Sequence, residues 1–312
     1  MHDYTDLRSD TVTTPTEKMK LAALHAALGD DVMREDPATR RLEETAAEIT
    51  GKEAALLVTS GTQGNVIAAA LHCSPGSEAI MDDSCHVFLH EQAALARIAF
   101  SQPRTLPVKH GMMELDAVRR AVRKNNIHFP RTKALFCENT HNRSGGMWLP
   151  IHYLKALRSI ADEHGLKIHM DGARLFNASV ASGVAVKEIT RYADSVMFCL
   201  SKGLCCPIGS ILAGTGGFIE EARRMRKLLG GGMRQTGWLA APALVALDEM
   251  VDRLAEDHAR ARKIAEAIAA IDAFALDIQT VQTNMVYFRV KNEPAGAVVE
   301  KLRAENVLCF AE

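Results

Sequence analysis

Three short segments carry residues whose types and spacing suit chemistry. Ser60-Gly61-Thr62-Gln63-Gly64-Asn65 is a small-residue turn after the apolar run Ala54–Val58. Backbone N–H groups and hydroxyls at such a helix start can bind a single phosphate, and they serve equally as a tight, well-capped connection. In Leu166-Lys-Ile-His-Met-Asp171 an aspartate stands where an apolar strand ends. That position is the carboxyl edge of a sheet, where open α/β proteins bind ligands. A buried carboxylate calls for a cation, and two are on offer: Arg174, three residues on, or a protonated ligand nitrogen. In Ser195-Val-Met-Phe-Cys-Leu-Ser201-Lys202-Gly203 a second apolar strand runs into a lysine. Such an amine either snorkels to water or is desolvated and suited to Schiff-base chemistry.

Each feature alone is weak, but the combination is not. A strand-end acid followed 31 residues later by a strand-end lysine, with a phosphate-type turn upstream, matches the needs of pyridoxal phosphate. That cofactor takes a carboxylate on its ring nitrogen, an amine for its aldehyde and a cup for its phosphate. Nucleotide readings fare worse: the chain has neither G-x-G-x-x-G nor G-x-x-x-x-G-K-[ST]. His86 and His90 stand four apart with Glu91 adjacent, but the zincin order H-E-x-x-H is not met, and no metal is expected.

The elements that must position these groups alternate. Asp36 caps a helix with Pro37 in its first turn, Leu42, Ala46 and Ile49 on one face and Gly51 as its stop. Ala54–Val58, Ala79–Met81, Thr105–Val108, Lys133–Cys137, Leu166–Met170, Ser195–Leu200 and Ile208–Ala213 read as strands. Between them lie helical stretches such as Asn65–Leu71 and Ile151–His164, the latter stopped by Gly165. This alternation predicts an α/β fold with a mostly parallel sheet sandwiched by helices. One long helix is expected over Ala240–Ile271, then a strand over 283–290 and a helix over Ala295–Glu305. Residues 1–238 thus read as a large domain, and 239–312 as a smaller α/β domain that looks truncated.

Composition narrows the class. Lys+Arg 37 against Asp+Glu 38 gives no electrostatic case for nucleic acid or an anionic membrane, and 5% aromatics leave no stacking platform. No apolar stretch approaches the roughly 20 residues of a membrane-spanning helix. Seven cysteines without a C-x-x-C pair argue against a disulfide framework; Cys205 and Cys206 read as core or turn residues. Residues 1–10 are polar with no apolar signal region, so a cytoplasmic location is expected.

With these residues in view, the chain resembles the low-specificity L-threonine aldolases, pyridoxal-phosphate lyases of fold type I (aspartate-aminotransferase-like). The resemblance rests on Asp6-Leu-Arg-Ser-Asp-Thr-Val-Thr13, Gly29-Asp-Asp-Val32 with Glu35-Asp-Pro37, Ser60–Asn65, and Glu138-Asn-Thr-His-Asn142. It extends through His169-Met-Asp-Gly-Ala-Arg-Leu-Phe-Asn-Ala178, Cys199-Leu-Ser-Lys-Gly-Leu204, and Lys227 with Gly230-Gly-Gly-Met-Arg-Gln235. These stretches keep the family's order over essentially the whole chain.

The resemblance implies that Lys202 carries the cofactor, Asp171 binds its ring nitrogen, and Arg174 contacts its phenolic oxygen and the substrate carboxylate region. Gly61 and Thr62 hold the phosphate, Ser9 touches the substrate carboxylate, and Lys227 and Arg234 lie near the site, one or both from a neighbouring subunit. His86 stacks on the ring and His128 lies near the β-hydroxyl; either one, or a water it holds, is the base. His141 and His169 are expected to be structural. The implied reaction cleaves L-threonine, L-allo-threonine and related β-hydroxy-α-amino acids to glycine and an aldehyde, in a homodimer or homotetramer with shared sites. The alternatives are another pyridoxal-phosphate reaction on the same scaffold, or a cofactor-binding homologue without turnover. Two departures bear on this. Met33-Arg34 replaces the family's Tyr-Gly, and the sequence shows no counterpart of the family's C-terminal carboxylate-binding arginine.

Overall fold

The computed structural model describes residues 4–311, so the first three residues of the N-terminal reading and residue 312 lie outside it. Seven strands form the central sheet: β1 (Ala54–Val58), β2 (Glu78–Asp82), β3 (Gln102–Leu106), β4 (Thr132–Glu138), β5 (Lys167–Asp171), β6 (Ser195–Cys199) and β7 (Ser210–Gly214). Their order is β1-β7-β6-β5-β4-β2-β3. Only β7 runs antiparallel to its neighbours, so the mostly parallel sheet expected from the alternation is present.

The helices that concern the site are α1 (Glu17–Leu24), α2 (Pro37–Thr50), α3 (Gly61–His72), α4 (His86–Leu89), α5 (Ile151–His164), α6 (Leu175–Ser182), α7 (Gly216–Leu228), α8 (Gly237–Glu249), α9 (Leu254–Ala269) and α10 (Ala295–Ala304). They cover both faces, and the strands show why. Leu57, Leu135, Ile168 and Phe198 pack with Leu42 of α2 and Leu157 of α5. Leu56, Val58, Met197 and Cys199, one residue out of phase, pack instead with Ile67 of α3 and Ile219 of α7. Strands buried on both faces read as unbroken apolar runs, which is why they were visible in the sequence.

Asp36 caps α2 as expected, accepting from Thr39 N at 2.9 Å. The same carboxylate also accepts from Gly29 N at 3.2 Å and Gly237 N at 2.9 Å, so the Glu35-Asp-Pro37 motif ties α2 to the 29 loop and to α8. Helix α3 starts four residues before the expected Asn65. Ser60 is its N-cap, accepting from Gln63 N at 3.2 Å, which puts the whole Gly61–Asn65 motif inside the first turns.

Two expectations are corrected. The single helix over 240–271 is two, α8 and α9, interrupted at residues 250–253. Helix α8 packs on α1 and α2, whereas α9 packs on α6, and no straight rod serves both sets of partners. Of the strand expected at 283–290, only Arg289–Val290 pairs, with Phe274–Ala275. The polar groups before it go elsewhere: Thr283 Oγ1 donates to Gly146 O at 2.7 Å and Asn284 Nδ2 to Asp10 Oδ2 at 3.1 Å. A further parallel pairing joins Thr5–Asp6 to Val307–Leu308. Among the described residues no helix is long and apolar enough to cross a membrane, and all seven cysteines are free. Cys206 is in the core, and Cys205 takes a left-handed φ of 63° in the turn after Lys202.

Candidate active site

β5 and β6 end at the same sheet edge, with Asp171 in register with Met197. Lys202 follows β6 in a turn held from both sides: its carbonyl accepts from Thr13 Oγ1 at 2.7 Å and from Cys205 N at 2.9 Å. The first turn of α3 lies directly on β6. A Cβ at Gly61 would sit 3.0 Å from Cys199 Sγ and Met197 Cε, and one at Gly64 would sit 2.7 Å from Met197 Cγ. A side chain at either position would force Met197 or Cys199 to shift, so the glycines let the start of α3 pack closely on the strand that leads to Lys202.

Asp171 is 2% exposed. One oxygen accepts from Ala173 N at 3.0 Å and the other from Asn65 Nδ2 at 2.8 Å. Arg174, one of the two cations offered by the sequence, is committed elsewhere. Its Nε and Nη2 grip Asp10 at 2.8 and 2.7 Å, and its Nη1 donates to Asn142 Oδ1 at 3.2 Å. The reading of Arg174 as the partner of Asp171 is therefore dropped; a bidentate fork of this kind is a strong, directional pairing. Burial pushes the Asp10 carboxyl up, but the charge and hydrogen bonds of Arg174, helped by the charge of Lys202, hold it below the usual carboxylate range.

His86 opens α4, and its Nδ1 lies 2.9 Å from Glu91 Oε1. Its own N–H donates to Glu138 Oε2 at 2.7 Å, and Asn142 N donates to the other Glu138 oxygen at 2.7 Å. Glu138 therefore sets the start of α4, whose cap residue Cys85 makes no side-chain cap bond. Three buried carboxylates, Asp171, Glu91 and Glu138, crowd this corner, and protons are held tightly as a result. The hydrogen bond that His86 donates to Glu91 raises the His86 pKa above its ordinary value, against burial and with help from the charge of Asp171. Burial pushes Glu91 up as well. Glu138 is pushed up to about 6, by burial and then by Asp171.

The remaining sequence-predicted residues fall at varying removes. Ser9 caps the short turn 10–12 beside Asp10, its Oγ accepting from Thr11 N at 3.2 Å. Arg234 pairs with Asp30 at 2.7 Å and is 54% exposed. Lys227 lies at the end of α7, where a Cβ at Gly232 would meet its Cδ at 2.6 Å. His128 is exposed on the connection that enters β4 at Thr132. Within one chain that is the opposite end of β4 from Glu138, about 20 Å away along seven residues. His90 sets its ring 5.4 Å from that of His86, tilted.

The sequence matches the beta-eliminating lyase family over residues 6–291. The chain belongs to that family. Among its relatives, low-specificity L-threonine aldolase 1 of Arabidopsis thaliana is 45% identical over 302 residues, covering 96% of this chain and 84% of that one. The low specificity L-threonine aldolase of Escherichia coli K12 is 45% identical over 307 residues, covering 98% and 90%. The structure of Leishmania major threonine aldolase superposes with a TM-score of 0.81 at 20% identity, covering 96% and 87%, a likeness of fold.

In this beta-eliminating lyase chain several residues of the corner went unassigned at the sequence level. Asp10, Asn65 and Glu138 lie inside the quoted motifs, yet nothing local says what they touch: Asp10 and Arg174 are 164 residues apart, and Asn65 and Asp171 are 106 apart. Glu91 was weighed only as a metal ligand. One signal was available. Strand periodicity puts His169 and Asp171 on the same face of β5, so a buried histidine beside the acid was legible.

Proposed function

We propose that this chain cleaves L-threonine, L-allo-threonine and related β-hydroxy-α-amino acids to glycine and an aldehyde, using pyridoxal 5'-phosphate. The observation that carries the proposal is the meeting, at one sheet edge, of a buried strand-end acid, a strand-end lysine and a helix start pressed onto the strand between them. The donor set fits the cofactor. Among the described residues Asp171 accepts one N–H on each oxygen of its buried carboxylate, and a carboxylate has lone pairs for more. The seven cysteines, none in a C-x-x-C pair and all free, support a reducing, cytoplasmic setting.

When bound, pyridoxal phosphate supplies an electron-poor ring that takes up the charge released as the Cα–Cβ bond breaks. The chain's own groups divide the remaining work. Lys202 would offer its amine to the aldehyde, and Asp171 would hold the ring nitrogen and keep the ring electron-demanding. The N–H groups of Gly61 and Thr62, with the Thr62 hydroxyl, would hold the phosphate at the positive end of α3. Arg174, gripped by Asp10 on one edge, has N–H groups left for the phenolic oxygen and the substrate carboxylate, and Ser9 adds a hydroxyl there. His86 would stack on the ring and, directly or through a water, would take the proton from the β-hydroxyl; His128, at the far end of β4 within one chain, could do so only from a neighbouring subunit.

The test is a product assay on cofactor-loaded protein with L-threonine, L-allo-threonine and phenylserine. Glycine and the matching aldehyde in equal amounts are expected. Pyruvate and ammonia from serine, an inverted α-carbon, or a keto acid, each without glycine, would reassign the reaction while leaving the cofactor reading intact.

His86 keeps its proton above the usual imidazole range because Glu91 accepts from it. A base must be neutral, so kcat/KM rises as pH passes through that raised value. Glu91→Gln removes the anion, and the rising limb is expected to move to lower pH. A limb that stays in place would show that the imidazole paired with Glu91 is not the base.

A homodimer or homotetramer with shared sites completes the proposal. It is supported by the exposed apolar side chains of Leu21, Leu24, Leu28, Met33 and Trp238, close in sequence to Asp30 and its partner Arg234. Mixing inactive Lys202→Ala with inactive Arg234→Ala protein should restore part of the activity if Arg234 reaches a neighbour's site; no recovery argues against sharing.

A further inference from the structure

Behind Asp171 lies a run of buried polar side chains that the steps above do not use. Asn65, His169 and Ser195 are 1%, 0% and 0% exposed. Asn65 Nδ2 donates to Asp171 Oδ2 and to Glu91 Oε1, both at 2.8 Å. Asn65 Oδ1 lies 3.0 Å from His169 Nε2, His169 Nδ1 lies 2.8 Å from Ser195 Oγ, and Ser195 Oγ lies 2.7 Å from His72 Nε2. Such a chain is costly unless every member is satisfied, and apolar residues would fill the space at less risk.

The direction of every bond in it follows from the two carboxylates. Facing two acids, the amide must present its NH2 group, so its oxygen faces His169 and His169 must donate from Nε2. Burial lowers the His169 pKa well below the ordinary value, so the ring is neutral and its Nδ1 accepts from the Ser195 hydroxyl. The serine oxygen then accepts from His72 Nε2; His72 is also neutral, its pKa lowered to about 4 by burial. All the donors point toward Asp171 and Glu91, and neither acid can turn the amide over.

We propose that Asn65 is a positioning residue that joins the acid facing the cofactor ring to the acid holding the stacking imidazole, with His169, Ser195 and His72 locking its amide in the one productive orientation. One NH2 group sets both the Asp171 oxygen that stays behind the ring and the Glu91 oxygen that fixes His86. The inference rests on the reading of Asp171 as the ring-nitrogen partner.

The experiment uses full-length protein loaded with pyridoxal 5'-phosphate. It reads the visible absorption band, the cofactor dissociation constant, kcat and KM for L-threonine, and the Tm of the cofactor-free chain. Asn65→Leu keeps the volume and removes the bonds. It is expected to shift the band, weaken cofactor binding about 10- to 100-fold and lower kcat more than it raises KM, since bonds to charged groups are among the stronger ones. His169→Gln retains a donor at the Nε2 position and should stay close to wild type, whereas His169→Leu should follow Asn65→Leu. Should Asn65→Leu not fold, the His169 pair decides alone. If the variants lower only the Tm of the cofactor-free chain, with band and dissociation constant unmoved, or if Gln at 169 does no better than Leu, the inference is overturned. A wild-type chain that gives no band on loading overturns the parent reading, and this one with it.

Discussion

Replacing Lys202 with alanine should abolish threonine cleavage, with turnover falling by at least about 10⁴-fold, because on the proposed reading one side chain supplies both the covalent attachment and a proton-moving amine. The surrounding turn should survive the change. It is held through the Lys202 carbonyl, which Thr13 and Cys205 continue to satisfy whatever the side chain. Circular dichroism and Tm of the cofactor-free variant are therefore expected to match wild type. Borohydride reduction of loaded wild-type protein should leave the added mass on the peptide containing residue 202, and the variant should take up none at that position. A variant that retains most of its activity would remove the lysine from the chemistry and the cofactor reading with it.

Asp171→Asn carries the second-largest expected effect. Losing one member of a desolvated charge pair costs about 3–5 kcal/mol, which corresponds to roughly 10²- to 10⁴-fold in kcat if the pair is fully engaged as the bond breaks. Stability should move the other way. Asp171 crowds Glu138 and Glu91, and its charge is one reason that Glu138 titrates near 6. The two glutamates bind protons more tightly in this corner than in the unfolded chain, so they subtract stability as pH rises through their raised values. Removing the third negative charge relieves them. The cofactor-free variant is expected to be at least as stable as wild type in urea above pH 7, while its catalysis is strongly impaired. Equal loss of stability and activity would mean that Asp171 is mainly a structural acid.

The architecture was legible because it depends on local patterns. Leu56-Leu57-Val58 and Val196-Met197-Phe198 are buried on both faces, and runs of that kind stand out between helices with caps such as Asp36 and stops such as Gly51 and Gly165. Asp171 and Lys202 stand out for the same reason, as charged residues placed where apolar strands end. What escaped was everything that depends on partners distant in the chain. The engagement of Arg174 by Asp10, the bridging of two acids by Asn65 and the capping of α4 by Glu138 leave no periodic trace. The break between α8 and α9 escaped too, since apolar spacing continues through residues 250–253 while the packing partners change.

The pairing of Thr5–Asp6 with Val307–Leu308 gives the start of the chain an unexpected mechanical allegiance. Four residues after that short ladder comes Asp10, the anchor of Arg174. Asn284, from the later part of the chain, grasps the same carboxylate. Tugging on the segment after α10 therefore loads a tether that ends on the guanidinium of Arg174. A fusion or tag appended there would be felt at Arg174, although more than 130 residues of sequence separate the two.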